Sequence, residues 1–574
     1  MKLIANKIEL PYGGEITLKF FNPMFNDTGT HSLPINFPAG IPIIQRAFGW
    51  PGQKECEIQK SVPGSVDLGN IILSGSWKVI EADQNIIQTY FAANSGDFYS
   101  VINKKLLTEI DFGPVYCPTD PTNTWTTLLD EINSKFNCVY PDNDWVAYCA
   151  YMPNNKGDGL NYFLVNPVYP GEAGASIKIP SSAGGSNSVF LFVGKVIDTL
   201  FESHGYRVEE NIFRTDSELQ RLTIFHTYNI FPGFGSPYFG IARLDYQKLL
   251  PKILCSEFLR AVRNRFNIGF FINEESKSVR VIRFDDIIKK APLDLGISYG
   301  KHKVANNRFS GVNFPLDPPD YFSSHGYADD SEFYNVITVD KYRDVLPDTR
   351  DEGDILLVTS EQTYYKIILN DESEKESLRL CPKQFPFIEG DASEEFSQQS
   401  GILSMCTYSE LYSYDYPPEA PVHYESDVDY LLPHCDLTGN REGEPYTDFP
   451  LMFVTARGLQ KLWVEDNPGV PELVYPLGST DLFDACGDPL SNAELALKWG
   501  DPEGIIARYW SKRLYWEQNI KKSVKTDIII NYREILNNFS KLIRIGNDNY
   551  FVNKFILDIN LHTKKISDVE LFRV

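Results

Sequence analysis

The sequence lacks paired cysteines. Its nine Cys are scattered singly through 574 residues, with no C-x-x-C anywhere, so neither a zinc ribbon nor a thioredoxin-like redox motif is written in it. An odd count at irregular spacing predicts free thiols, mostly buried. Long apolar runs are missing too, and none approaches the ~18 residues that span a bilayer. The opening MKLIANKIEL has no apolar core followed by a small-residue cleavage site. The expectation is therefore a protein made in the cytoplasm, soluble or exported only within a larger assembly. Basic residues are the next shortage: 54 Lys and Arg against 77 Asp and Glu give a net charge of −23. A sequence-independent nucleic-acid binder needs basic stripes to neutralise phosphates, and this balance argues against one. An acidic surface suits solubility, basic partners, or a pore through which nucleic acid passes without sticking.

Motifs that carry chemistry are also scarce. His434 and Cys435 are adjacent, and neighbours on a strand point to opposite faces, so they do not converge on one metal. Glu425, Asp427 and Asp429 resemble a fragment of a calcium loop without its Gly and distal Glu. Gly233, Gly235 and Gly240 have the wrong spacing for a dinucleotide fingerprint, and Pro237 sits where the phosphate-binding helix would begin. Neither G-x-x-x-x-G-K-[ST] nor a G-x-S-x-G nucleophile elbow occurs. The pairs Asp285-Asp286 and Glu394-Glu395 match the residue type of a glycosidase, but adjacent acids arise by chance among 77 carboxylates. The reading is no enzyme, with no catalytic, cofactor-binding or metal residues assigned and no cofactor; interface residues are not legible. Tyr408, Tyr412, Tyr414, Tyr416 and Tyr424 cluster among carboxylates and prolines. Such a stretch fits a protein interface, stacking on sugar rings, or a loop packed on its own domain.

What the chain does have is aromatic content, 37 Phe and 32 Tyr against 5 Met, which favours strands. The expected fold class is α+β, β-rich and multidomain. Residues 1–113 read as a β-rich unit, with Ile16, Leu18 and Phe20 on one face and a run at 70–82 broken at Gly75. Short helices are expected from Pro42 and after Gly96-Asp97-Phe98, the second carrying Tyr99, Ile102 and Leu106. Residues 114–188, dense in Pro, Gly, Asn and Ser, read as a loop-rich insertion. Residues 189–290 hold a unit that occurs twice, a short amphipathic helix followed by a strand or hairpin. Val193, Val196, Ile197, Leu200 and Phe201 form the first apolar stripe, stopped at Gly205; Phe258, Leu259, Val262 and Phe266 form the second, stopped at Asn267. A hairpin with its polar turn at Asn273 to Ser278 follows. Residues 291–370 read as a second β-rich segment and 371–490 as acidic, Tyr-rich and irregular or inserted. Residues 491–574 read as a helix capped by Asp501 and Pro502, lined by Ile505, Ile506, Tyr509, Trp510 and Trp516, then a hairpin turning at Gly546-Asn547-Asp548.

Several stretches resemble large tail-hub or baseplate-hub proteins of tailed phages and prophages of Bacteroidota hosts. They are FNPMFNDTGTHSLPINFPAGIPIIQRAFGWPG, GSWKV, GDFYSVI, the two helix-plus-β units with PKILCSEFLRAVRNRFNIGFFI, and near the end DPEGIIARYWSKRLYW and IRIGNDNYFVNKF. The resemblance covers about half of the chain, its two ends and its middle. It implies tube-like β-barrel domains decorated by small helix-plus-β-hairpin modules. It also implies a structural virion protein that forms a ring around the DNA channel and joins the tail tube to the tip. The partners it implies are further copies of the chain, a trimer being favoured, other tail-tube and tail-tip proteins, and DNA as transient cargo. Location would be the virion tail, after assembly in the host cytoplasm. Alternatives are a glycan- or receptor-binding β-rich module of a virion, or a carbohydrate-active enzyme.

Overall fold

Strict alternation of apolar and polar residues decides the largest sheet. In Ile16–Phe21 the side chains of Ile16, Leu18 and Phe20 are wholly buried, and in Asp548–Ile559 so are those of Phe555, Leu557 and Ile559. The two strands pair antiparallel, Ile16 opposite Ile559 and Phe20 opposite Phe555, whose rings stack at 4.6 Å. On the opposite face Thr17 Oγ1 donates to the Asp558 carboxylate at 2.7 Å. Among the described residues one sheet of 14 strands results. Its path runs from Ile8–Leu10 through Lys2–Ala5, Ser61–Asp67, Ile72–Ala82, Ile86–Ala93 and His31–Ser32 to Ile16–Phe21. It then crosses to Asp548–Ile559, Lys564–Arg573, Ser523–Thr526 and His302–Ala305. Segments 1–93 and 516–574 thus share a sheet and one apolar core, which Phe271, Ile282, Phe284 and Ile287 join.

The computed structural model describes residues 1–113 apart from 27–28, 52–60 and 70–71, then 131–154, 161–166, 168–169, 176–177, 188–226, and 244–297 apart from 274. It further describes short strands between 302 and 434, position 449, and 451–461, 474–482, 489–497, 503–519, 523–526, 532–560 and 564–574. The protein is α+β, β-rich and multidomain, its strand content in line with its many Phe and Tyr. Barrel closure, implied by the hub resemblance, is not found among the described residues. Among the described residues the end strands of the large sheet, of 3 and 4 residues, do not pair with each other.

Two local expectations are corrected. The strand Ile72–Ala82 runs unbroken through Gly75. A Cβ at that position would lie 2.0 Å from the Ala92 carbonyl oxygen, so glycine here permits close strand approach rather than a break. The helix expected after Gly96 begins earlier, spanning Asn94–Ile102, and Leu106 lies beyond it.

Both repeated helices form where their stripes predict. Val193–Glu202 buries Val193, Val196, Ile197, Leu200 and Phe201 completely and stops before Gly205, whose φ is +79°. Cys255–Phe266 ends on Asn267 in the left-handed conformation, φ 49°. Asn267 holds that strained turn with its side chain, donating to the Tyr509 carbonyl at 2.8 Å and accepting from Arg513 at 2.9 Å. The two units are not separate modules, however. Arg207–Asn211 pairs in parallel with Ser278–Arg283, which pairs in turn with Ile268–Asn273, giving one three-stranded sheet over one core. A lone strand has no ladder of its own, so the first unit is completed only by the hairpin of the second.

The descent from this module to the last segment is a π-helical turn, Ile506–Trp510, running into the helix Ser511–Asn519. Ile505, Tyr509, Trp510 and Trp516 are buried as their pattern requires, while Asp501 and Pro502 lie outside the described residues. The closing hairpin turns at Gly546-Asn547, with Ile545 opposite Asp548.

Candidate functional site

Two buried ionic clusters hold this arrangement together. Arg457, on the strand Met452–Lys461, has no exposed side-chain surface; its Nη1 donates to Glu218 Oε2 at 2.7 Å and its Nη2 to the Leu495 carbonyl at 2.7 Å. Burial pulls the Arg457 guanidinium below its ordinary value while Glu218 pushes it back up. Glu218 Oε1 also accepts the Glu494 amide at 2.7 Å. Two residues earlier, Asp216 takes Arg283 at 2.8 Å and faces Arg508 at 3.9 Å. One short loop therefore ties the helix-plus-β module to the 452–461 strand, the 491–497 segment and the π-helical turn. The second cluster centres on Asp198, which accepts from Asn211 at 2.7 Å, from Arg214 at 2.7 and 3.0 Å, and from the Tyr140 hydroxyl. Burial, and then the Asp198 charge, push the Tyr140 hydroxyl well above its usual value. Asp198, Asp216, Glu218 and Arg457 are buried and Glu494 lies at the rim, so these charges position neighbouring elements. Sequence reasoning missed them because their members are tertiary neighbours; the only local signal was an acid, Asp198, inside an apolar helical stretch.

The residues weighed in the sequence as chemical candidates are not brought together. Asp286 pairs with Arg283 at 3.0 Å and Asp285 with Lys512 at 3.0 Å, so that acidic pair is divided between two cations. Glu394–Glu395 forms a short strand beside Val312–Asn313. His434 ends the strand Tyr430–His434, opposite Ser404, and Tyr408 lies opposite Tyr430. Cys435, Glu425, Asp427, Asp429, Gly233, Gly235, Gly240, Tyr412, Tyr414, Tyr416 and Tyr424 lie outside the described residues. Among the described residues no group of three or more His, Cys, Asp or Glu converges as a metal site, and no helix is long and apolar enough to cross a membrane. Cys149 and Cys255 are buried free thiols, and Cys138 is half-buried. Burial pushes the Cys255 thiol up to about 11.

Among the described residues two surfaces are open to a neighbouring molecule. The first is the outer end of the large sheet. Val304 lies opposite Val524, Val524 opposite Leu571, and Leu571 opposite Val552. Val524, Leu571 and Val552 are buried, whereas Val304 is 49% exposed on a strand with no further neighbour among the described residues. An apolar row across four strands thus runs out onto an open edge. The second surface is a cleft of about 460 Å³ between the helices Asn94–Ile102 and Cys255–Phe266. Tyr99, Asn103 and Lys104 line one side, and Ser256, Arg260 and Arg263 the other.

No protein-family model matches the chain, and no curated protein matches it. Among solved structures, the 43 kDa tail protein of prophage MuSo2 from Shewanella oneidensis aligns over 100% of this chain and 95% of its own, at 8% identity and a TM-score of 0.30. At that level of similarity neither a common fold nor a common site is shown.

Proposed function

We propose that the chain is a structural subunit of a phage tail, a hub or baseplate protein that builds a ring with further copies of itself, three being favoured. In this reading it joins tail-tube to tail-tip proteins, DNA passes through the ring as transient cargo, and the chain performs no catalysis. The segments that resemble tail hubs motivate the reading, and the edge strand His302–Ala305 is the observation that supports it. A row of buried valine and leucine that ends on an exposed Val304 is what a sheet continued by a neighbouring subunit presents. The strand is only four residues long and carries Lys303 beside Val304, so an added strand would have to pair at Val304 alongside that charge.

The test is the mass of the purified chain by light scattering at micromolar concentration, together with its position in native tails by electron microscopy. A discrete oligomer is expected. Val304→Asp should shift it towards monomer with little change in melting temperature, since Val304 is half exposed. A well-behaved monomer, or tails without this chain, would sink the proposal.

A further inference from the structure

We infer that a water molecule is bound in the interior where the π-helical turn meets the loop carrying Asp216, held by the Tyr509 hydroxyl, the Asp216 carboxylate and the Arg508 guanidinium. Tyr509 is 2% exposed, and its hydroxyl is buried with no hydrogen-bond partner among the described residues. Its ring faces the Arg283 guanidinium at 5.9 Å, and that guanidinium pairs with Asp216 at 2.8 Å. Ring and carboxylate therefore flank one cation. Arg508 Nη2 stands 3.9 Å from Asp216 Oδ1, too far for a direct hydrogen bond. A polar gap of that width is what one bridging water fills. Asp216 has room for it. An ionised carboxylate offers about four lone-pair sites. The Glu218 and Leu219 amides, each at 3.1 Å, and Arg283 take three donors' places and leave one.

The surrounding charges select a neutral ligand. Arg283, Arg457 and Arg508 are set against Asp216, Glu218 and Asp286, with Glu494 at the exposed rim. With the two signs nearly balanced, neither a cation nor an anion gains by entering, whereas water both donates and accepts. The Tyr509 hydroxyl is a firm donor: burial, and then the Asp216 charge, hold its proton far above the usual tyrosine range. Hydroxyl and guanidinium donate to the water, and the water donates to the carboxylate, giving the three bonds typical of a buried water. Tyr509 is not free to swing towards another partner. Its carbonyl accepts from Asn267 at 2.8 Å, and its ring packs edge-on against Phe266 at 5.6 Å. An unpaired hydroxyl fixed in this place would carry an uncompensated desolvation penalty, which the water removes. The water also adds a link between the π-helical turn and the Asp216 loop, where the direct Arg508 contact falls short.

Tyr509→Phe in the full chain removes the hydroxyl and nothing else, so the sign of its effect is diagnostic. If the hydroxyl bonds a water, its loss should lower the thermal midpoint by roughly 2 °C. If the hydroxyl is unpaired, its removal relieves the desolvation penalty, and a midpoint that stays or rises would overturn the proposal. A crystal structure of the full chain at a resolution that shows solvent supplies the second measurement. A solvent peak within hydrogen-bonding distance of both Tyr509 and Asp216 is expected. A direct bond from the hydroxyl to Asp216, or no solvent peak between the two, would overturn the proposal even if Tyr509→Phe lowers the midpoint. The outcome does not depend on whether the chain forms a ring.

Discussion

Arg457 carries its charge where no water reaches, and Glu218 is the group that makes this tolerable. Removing one member of a buried pair leaves the other uncompensated, which typically costs about 3–5 kcal/mol. Glu218→Gln should therefore lower the thermal midpoint by several degrees or more. Glu494→Gln, at the exposed rim of the same network, should change it little. A melting series settles the contrast, and equal effects from the two variants would contradict the account. Histidine gives a second residue-scale expectation. Burial is the main cause that lowers His31 and His204, opposed by bonds to the Gly29 and Leu200 carbonyls and reinforced by Lys19 and Lys105. A lowered value means the folded chain binds fewer protons than the unfolded one, so stability rises with pH. The contribution is complete above the unfolded value of about 6.5 and is lost as pH falls through it towards the lower folded values. Melting temperatures should drop between pH 7.5 and pH 5.5, and a His31→Gln/His204→Gln variant should show a shallower drop.

At the scale of elements, the stripes of Val193–Glu202 and Cys255–Phe266 were legible because period and burial are the same fact seen twice. Their stop signals were legible too, since Gly205 and Asn267 are residue types that accept positive φ. The pairing of Arg207–Asn211 with Ser278–Arg283 was not, because a strand's partner is a tertiary choice that its own residues do not record. Gly75 shows the converse error: a glycine read as punctuation turned out to be clearance for a neighbouring backbone. Leu200 and Val262 both sit in the core formed by the merged module. Leu200→Asp or Val262→Asp should therefore abolish soluble expression, not merely oligomer formation, because an unpaired charge would be buried among apolar groups. Recovery of either variant as a folded monomer would show that these stripes form an interface instead of a core.

For the whole molecule, the cross-sheet pairing of Ile16–Phe21 with Asp548–Ile559 is the long-range fact that organises everything else. Local periodicity predicted both strands and their buried faces. It was silent on their meeting, which is set by complementary apolar faces far apart in sequence. The candidate surfaces were likewise invisible, since the cleft is assembled from two helices and the exposed Val304 acquires meaning only beside Val524. A chain ending at residue 547 loses Asp548–Ile559 and Lys564–Arg573 together, leaving Ile16–Phe21 without its hydrogen-bonded neighbour strand and removing Phe555, Leu557 and Leu571 from the core. Such a truncation should bind a hydrophobic dye strongly and be cleaved rapidly within residues 1–93 by protease. If that segment stayed protected, it would fold without the distant strands.

Thr17 and Asp558, hydrogen-bonded across that pairing, are 541 residues apart. At typical translation rates of ~5–20 residues per second, the ribosome delivers the second strand roughly half a minute to two minutes after the first. Throughout that interval the strand Ile16–Phe21 keeps an unpaired backbone edge, while its apolar face can already meet Phe37, Phe48 and Trp77. A polypeptide terminated before those strands would leave the sheet unfinished at Ile16–Phe21, with an open edge able to pair with other chains.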